Sequence, residues 1–466
     1  MKRKMQILFS VVITGVLLTA LVSTKSNNMD HSGFFQEEFD SPQDVTKACM
    51  NCHAEQTEDF MKTRHWNWEG EEFEMEDRGM VKVGKKNLIN NFCIAVTSNY
   101  PRCTSCHPGY GWEDETFDFS KAENVDCLIC HDQTGTYKKT PTGAGMPAPD
   151  VDLLKVAKNV GKPTADNCGQ CHFNGGGGAA VKHGDLDPAL LTGEEDVDVH
   201  MAGLGFDCVQ CHTTEKHKIS GASHGSMAQG VNHISCENSH APEGLHKNPI
   251  LNKHTSAIGC ESCHIPSIGR NMATKTYWDW STAGTKEKTE KDEEGRVIYA
   301  KKKGNFKWEK NVTPAYFWYD GSADYYMAGD KIDPNTVVQL NTIKGDISDK
   351  DSKIYPFKKM TGRQPFDEVH KHIIIPKLFG PGGFWKTYDW AAASEKGMAK
   401  AGLEFSGEVG FVKTEMYWPQ NHAVAPTDQA LKCTDCHNND RMDWEALGYP
   451  GDPMKKGGRE RNGLLK

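Results

Sequence analysis

Seven copies of one five-residue pattern hold most of the cysteines in this chain. In each copy two residues separate a pair of cysteines, and a histidine follows the second cysteine. Two thiols about one helical turn apart can each add to a vinyl group on one porphyrin edge, and the adjacent histidine can then ligate the iron. The repeats therefore predict covalently attached haem c. The copies are Cys49, Cys52 and His53; Cys103, Cys106 and His107; Cys127, Cys130 and His131; Cys168, Cys171 and His172; Cys208, Cys211 and His212; Cys260, Cys263 and His264; and Cys433, Cys436 and His437.

An eighth copy is incomplete. Cys236, Ser239 and His240 keep the spacing, but serine stands where the second cysteine belongs. Serine cannot form a thioether, whereas one thioether and two axial histidines can still hold a haem. We therefore predict eight haems, one of them attached through Cys236 alone. The alternative is that Cys236 is a free thiol or is disulfide-bonded to Cys93, the other cysteine outside the repeats.

Other uses of paired cysteines do not account for the repeats. Zinc sites need paired knuckles rather than a histidine after each second cysteine, and a thioredoxin-like motif occurs once. Composition agrees with large flat cofactors in the interior, because only 37% of the 466 residues are hydrophobic. The formal net charge of −9 argues against a nucleic-acid partner and requires a locally positive pocket for any anionic substrate.

The N-terminus predicts export. Lys2, Arg3 and Lys4 form a basic start, and an apolar stretch covers residues 7–23. This pattern is typical of a secretory signal, so residues 1–24 are a signal peptide or, if uncleaved, an N-terminal anchor. The expected location is periplasmic or extracellular, with membrane contact only through an uncleaved anchor.

The attachment sites are unevenly distributed. Residues 25–264 carry seven of the eight, whereas residues 265–466 form a haem-poor, aromatic-rich segment that returns to a last site at 433–437. A helix is predicted over residues 389–403, and the charged run 286–303 predicts a solvated loop or hairpin. We expect a mainly α fold with long loops and little strand, in which short helices wrap a stacked chain of haems.

Further iron ligands must come from outside the motifs. Eight motif histidines supply one ligand each, and twelve other histidines remain. Lys182 is a second kind of candidate, because a desolvated lysine can ligate iron and four glycines from Gly175 to Gly178 let backbone pass close to a porphyrin. Taken alone, Lys182 is more simply an ordinary surface lysine. The remaining histidines are His31, His65, His183, His200, His217, His224, His233, His246, His254, His370, His372 and His422.

Several blocks outside the motifs carry a family likeness. On them the chain resembles the octahaem tetrathionate reductase family of multihaem cytochromes, which are relatives of pentahaem nitrite reductases and octahaem hydroxylamine oxidoreductases. The likeness covers nearly everything after the N-terminal signal, and the departure from it is Ser239, where the family has cysteine. The blocks are residues 47–53, 65–70, 84–87, 90–95, 125–137, 171–187, 416–419 and 441–444.

The resemblance implies one catalytic haem, attached through Cys103 and Cys106 next to His107. It implies that Lys182 ligates this haem and that Cys93 and Asn90 lie beside it. It also implies seven distal histidines and leaves His31, His224, His233, His370 and His372 as non-ligands. The implied distal ligands are His65, His183, His200, His217, His246, His254 and His422.

The resemblance further implies a reductase. Electrons from a partner cytochrome or a quinol-linked donor would pass along the haems, and the substrate would be tetrathionate, nitrite or hydroxylamine. Lys182, Lys85, Lys86 and Arg102 would supply the positive field that a small inorganic anion needs. Cys93 either holds a sulfur intermediate or is a plain buried thiol. A non-catalytic electron wire or filament, a hydroxylamine-oxidising enzyme and a homo-oligomer remain alternatives.

Overall fold

The computed structural model describes residues 29–75, 78–221, 234–240 and 245–465. The predicted signal peptide or anchor lies outside these residues, as do His224 and His233. Within the described ranges, no helix is both long enough and apolar enough to span a membrane.

The helices are short, and many of them carry an attachment motif. One helical turn places two cysteines three residues apart on the same side, which is what attachment to one porphyrin edge requires. Within the described residues the α-helices are α1 (Pro42–Met61), α2 (Arg64–Asn67), α3 (Tyr100–Cys103), α4 (Leu128–His131), α5 (Leu153–Lys158), α6 (Ala165–His172), α7 (Ala189–Thr192), α8 (Cys208–Cys211), α9 (Pro249–His254), α10 (Cys260–His264), α11 (Phe384–Thr387), α12 (Trp390–Ala401), α13 (Cys433–Cys436) and α14 (Pro453–Lys456).

Capping residues and local backbone conformation set the limits of the two longest helices. Ser41 caps α1 by accepting the Asp44 backbone N–H, and the regular helix is broken at His53, where φ is −118° and ψ is 32°. Asp389 caps α12, and Gly402 ends it in the left-handed conformation with φ 67°. The helix predicted over residues 389–403 is therefore present.

The expectation of a mainly α fold with little strand is wrong. The structure is 25% helix and 20% strand, and an eight-stranded mixed sheet dominates the haem-poor segment. Within the described residues the strands are β1 (Glu72–Met75), β2 (Gly79–Lys82), β3 (Thr214–Glu215), β4 (Lys218–Ile219), β5 (Thr274–Asp279), β6 (Glu290–Lys291), β7 (Val297–Ala300), β8 (Gly304–Glu309), β9 (Ala315–Tyr319), β10 (Ala323–Tyr325), β11 (Val338–Gln339), β12 (Asn341–Ile343), β13 (Lys353–Asp367) and β14 (Val409–Pro419).

The large sheet is built around β13. This 15-residue strand pairs antiparallel with β14 and parallel with β5, and β9 pairs with its first four residues. The order across the sheet is β11-β14-β13-β5-β8-β7-β6. Strands β6 and β7 form an antiparallel pair within the charged run 286–303, where a loop or hairpin was predicted.

Burial explains why these strands were missed. Most residues of β5, β13 and β14 are buried, so their side chains do not alternate between apolar and polar along the chain. Strands that are covered on both faces lack the period-two signal by which a strand is recognised. The largest hydrophobic cluster combines this sheet with Val83, Leu88, Ile89, Phe92 and Val181 from the haem-bearing segment.

Candidate functional site

Seven of the eight motif histidines face a second histidine from elsewhere in the chain. The ring centres of each pair lie 6.1 to 6.5 Å apart. An imidazole nitrogen binds a transition metal at about 2.0–2.1 Å and lies roughly 1.1 Å from its ring centre, so rings on opposite sides of one ion have centres about 6.3 Å apart. The pairs are His31–His53, His65–His172, His131–His217, His200–His240, His212–His422, His246–His264 and His254–His437.

Hydrogen bonds orient several of these rings. The Nδ1 atom of His131 lies 2.7 Å from Gly161 O, and that of His212 lies 2.9 Å from Ser220 O. His437 Nδ1 lies 2.6 Å from an Asp452 carboxylate oxygen. Occupying Nδ1 leaves Nε2 free for a metal and fixes the plane of the ring. These residues therefore fit axial ligation of haem iron.

One connected cavity of about 3230 Å³ runs along the attachment motifs. Its lining includes cysteines of every motif from the first at Cys49 to the seventh at Cys260, counting the incomplete one at Cys236. Ordinary small-molecule sites enclose about 300–1,000 Å³. The cavity is therefore large enough for several cofactors lying side by side, and the thiols and imidazoles on its wall fit haem c.

Thiols from different motifs lie next to each other. Within hydrogen-bonding reach are Cys49 and Cys127, Cys106 and Cys171, Cys168 and Cys208, and Cys236 and Cys260. The contacts bring together the first and third motifs, the second and fourth, the fourth and fifth, and the sixth and seventh. The second motif is therefore linked to the other motifs through the fourth motif.

His107 is the exception among the motif histidines. Its Nε2 lies 2.7 Å from Trp66 O, and its ring is buried against Trp66, Trp68 and Trp112. Burial lowers the pKa of His107 to about 3, so the ring is neutral and Nε2–H donates to the carbonyl. This arrangement does not suit the iron ligation expected for His107, because Nε2 is bound to Trp66 O and Nδ1 is enclosed among the tryptophans instead of lining the cavity.

Lys182 lies where the expected motif ligand is missing. It lines the cavity together with Cys103 and Cys106, and its Nζ is 4.9 Å from the centre of the Trp418 ring. Burial, followed by the nearby Lys85, lowers the pKa of Lys182 to about 7. A substantial fraction of the amine is therefore neutral near pH 7, and only the neutral amine has a lone pair to offer a metal.

The glycine run shapes the space between Lys182 and Cys93. A Cβ on Gly175 would lie 3.2 Å from Lys182 Cδ, and Gly176 has φ +80°. The Cys93 thiol lies 3.8 Å from Gly176 O, and Cys93 lines the same cavity. Asn90 accepts the backbone N–H of Cys93 at 2.9 Å, which fixes the turn that presents the thiol.

Two histidines differ from the expected ligand set. His31, expected to be a non-ligand, faces His53 across 6.3 Å. His183, expected to be a distal ligand, belongs to none of the histidine pairs among the described residues, and its ring lies 5.4 Å from the Trp418 ring. Gln420 binds the backbone carbonyl of His183 and Trp418 packs against its ring, and His183 also lines the cavity. His370 and His372 lie beside each other, away from these pairs.

Three basic residues expected near the substrate differ in position. Lys85 and Arg102 line the cavity, with Lys85 Nζ 3.4 Å from Cys103 O. Lys86 pairs with Glu69 at 3.4 Å and is not part of the lining. Cys93 and Cys236 are both free thiols, so the alternative disulfide is not formed.

The repeated thiol pairs, the facing imidazoles and the shared cavity define a multihaem cytochrome c. A family model described as Cytochrome c554 and c-prime matches residues 48–132, and one described as Cytochrome c bacterial matches residues 275–440. An uncharacterized protein of Archaeoglobus fulgidus is 25% identical over an alignment of 241 residues that covers 41% of this chain and 80% of that protein.

A solved structure shows the family. The crystal structure of octaheme cytochrome c from Shewanella oneidensis is 51% identical, covers 92% of this chain and 98% of its own, and superposes with a TM-score of 0.86. The chain therefore belongs to the octahaem cytochromes c, and its resemblance to the octahaem tetrathionate reductases is confirmed.

Proposed function

We propose that this protein is a reductase that delivers electrons to a small inorganic anion held beside Lys182. The observation that carries the proposal is the contrast between Lys182 and the other sites. Seven sites present two facing histidines, whereas the site at Cys103 and Cys106 presents one partly buried lysine and has its motif histidine turned away. A site with one protein ligand leaves room for a substrate, and a site with two does not.

Bound haem c supplies one-electron oxidation and reduction at iron. The chain's own residues do the rest. Lys182 would offer its amine to the haem iron, and Lys85 and Arg102 on the same wall attract an anion to an otherwise acidic protein. Tetrathionate, nitrite and hydroxylamine are the candidate substrates, and the first two are anions that this charge favours.

Cys93 has two possible uses at this site. Its thiol lines the cavity close to Gly176 O, so it can approach a bound sulfur compound. The thiol hydrogen-bonds the Gly176 carbonyl, and a plain thiol is the simpler assignment. Asn90 acts on Cys93 through the backbone rather than on substrate.

We further propose that the full complement is eight haems. The incomplete motif retains its axial pair, because His240 faces His200 at 6.2 Å as closely as in the intact motifs. Cys236 and Ser239 line the same cavity. Mass spectrometry of the purified protein should find haem on the peptide that contains Cys236, and this haem should be absent from Cys236→Ala.

The cellular location and the electron donor of the protein are part of the same proposal. We place the protein in the periplasm or outside the cell, since c-type haems are attached to exported chains and the first 24 residues resemble a secretory signal. The electron donor is a partner cytochrome or a quinol-linked protein.

The test is reductant-driven turnover with tetrathionate, nitrite and hydroxylamine, measured in parallel on haem-loaded protein. Lys182→Ala should lose roughly 10- to 100-fold of the activity, or more, as expected when a residue at a metal site is removed. Lys138→Ala is the matched control, because Lys138 also lines the cavity but pairs with Asp150 at 2.6 Å.

The outcomes separate the alternatives. Activity lost in Lys182→Ala and kept in Lys138→Ala supports the reductase and identifies its substrate. Normal haem reduction without turnover of any of the three compounds would instead favour the non-catalytic electron wire, for which the seven histidine pairs are sufficient.

A further inference from the structure

Lys358 is a buried lysine on β13, inside the haem-poor segment. Only 1% of it is exposed, and it sits in the middle of the long central strand. An ammonium is costly to bury unless each of its three N–H groups has an acceptor. The acceptors that Lys358 uses show what the residue does.

All three acceptors of Lys358 either belong to residues 180–182 or are hydrogen-bonded to them. Its Nζ donates to Val181 O at 2.8 Å, to Lys182 O at 3.2 Å and to Thr274 Oγ1 at 2.5 Å. The Thr274 hydroxyl in turn donates to Ala180 O at 2.6 Å. Two side chains of adjacent strands thus bind three consecutive backbone carbonyls.

A third side chain extends the arrangement. Gln420, just after β14, donates its Nε2 to His183 O at 3.0 Å. The carbonyls of residues 180–183 are therefore all bound by side chains that come from the sheet. This stretch is not part of a helix or strand, and Ala180 has φ 55°, so its shape depends on these external donors.

We propose that Lys358 is the positioning residue that aims Lys182 at the haem attached through Cys103 and Cys106. The inference rests on the proposed role of Lys182 as an iron ligand. Because Lys358 binds the carbonyl of Lys182 itself and that of the residue before it, it fixes the point from which the Lys182 side chain projects. The sheet is then the part of the fold that sets the lysine-ligated site, and the attachment motifs alone do not.

The test compares two buried lysines on neighbouring strands. Lys358→Met keeps the length and removes the donors. Lys275→Met is the matched control, since Lys275 is 5% exposed and its Nζ packs on the rings of Trp278 and Phe306 instead of contacting residues 180–183. Thr274→Val is a milder variant, which removes the hydroxyl that links Lys358 to Ala180 and serves if Lys358→Met fails to fold.

The primary readout is the electron paramagnetic resonance spectrum of the oxidised, fully haem-loaded protein. Lys358→Met and Thr274→Val should alter the signal of the lysine-ligated haem, leave the bis-histidine signals in place, and lower kcat on the order of tenfold with little change in KM. Lys275→Met should keep the wild-type signal.

Lys182→Ala serves as the reference that separates the two proposals. If Lys182→Ala alters the signal and both Lys358→Met and Thr274→Val leave it unchanged, the positioning role is overturned while the ligand role stands. If Lys182→Ala itself leaves the signal unchanged, Lys182 is not a ligand and both proposals are overturned. A signal altered equally by Lys275→Met would show general loosening of the sheet and would also overturn the positioning role.

Discussion

At the scale of single residues, the paired histidines differ in the group that binds their Nδ1 atom. A backbone carbonyl serves His131, whereas His437 has the carboxylate of Asp452, and His422, which faces His212, has that of Asp185. A carboxylate partner makes the imidazole a stronger electron donor and so stabilises ferric over ferrous iron. The site that His437 forms with His254 should therefore have a lower reduction potential than a carbonyl-bound site of the same ligand type.

Asp452→Asn tests this difference directly. Asparagine keeps the shape and an acceptor oxygen but removes the charge, so the potential of the last haem should rise on the order of 60 mV, which is about 1.4 kcal/mol for a one-electron couple. Asp443→Asn removes an exposed carboxylate nearby without touching His437 and should have a much smaller effect. Spectroelectrochemical titration measures both, and equal shifts would assign the effect to surface charge.

At the residue scale the sequence is most informative where spacing fixes the chemistry, and the ligand roles expected of the other residues stay predictions. The motif cysteines follow from covalent geometry, and Lys182 followed from the family blocks around it. The distal position of His31 could not be read from the chain, because it lies 22 residues before its partner His53 and outside any pattern. Nor does a motif show that its histidine turns away, as His107 does into a box of tryptophans brought together by folding.

At the scale of elements, the loop that carries the glycine run is as constrained as any strand. Gly176 has φ +80°, and a Cβ there would lie 3.0 Å from Val181. Gly178, two residues later, lies outside the left-handed region, and a Cβ would meet Val181 at an ordinary 3.4 Å. The two positions therefore form a matched pair within one loop.

Gly176→Ala should destabilise the haem-loaded protein by about 1–2 kcal/mol, which is the usual cost of forcing a residue with a side chain into the left-handed region. It should also displace the segment between Cys93 and Lys182 and so lower turnover. Gly178→Ala should be close to wild type in both respects. Thermal unfolding and turnover are the measurements, and identical behaviour of the two variants would contradict the prediction.

The sheet was the element least accessible from sequence. Strands β5 and β9 lie in the aromatic-rich segment, but β5 is buried on both faces and so has no alternation to mark it as a strand. Capped helices were easier, because Asp389 and Gly402 mark α12 at both ends.

At the scale of the whole molecule, the contacts between thiols of different motifs connect the Lys182 site to the other attachment sites through the fourth motif. Cys106 of the second motif meets Cys171 of the fourth, and the fourth motif also meets the fifth through Cys168 and Cys208. Electrons bound for Lys182 should therefore pass the fourth site, whose facing histidines are His65 and His172.

His65→Met should slow reduction at the Lys182 site on the order of tenfold or more, because thioether ligation raises the potential of the fourth haem and holds the electron there. Binding of nitrite to the oxidised protein should be unchanged, since the Lys182 wall is intact. Stopped-flow reduction followed at several wavelengths measures the first effect and a nitrite titration the second. An unaltered rate would mean that electrons reach the site by another path.

The uneven placement of the hydrophobic core has a consequence for how the protein is made. The largest cluster lies on the sheet, whereas the first attachment motifs have only small clusters such as the one around Val45 and Leu128. Burying apolar surface is what drives folding, so this region must gain most of its buried surface from porphyrin faces. Biogenesis should therefore couple haem ligation to folding of the exported chain, and each missed attachment should leave a stretch that quality-control proteases can recognise.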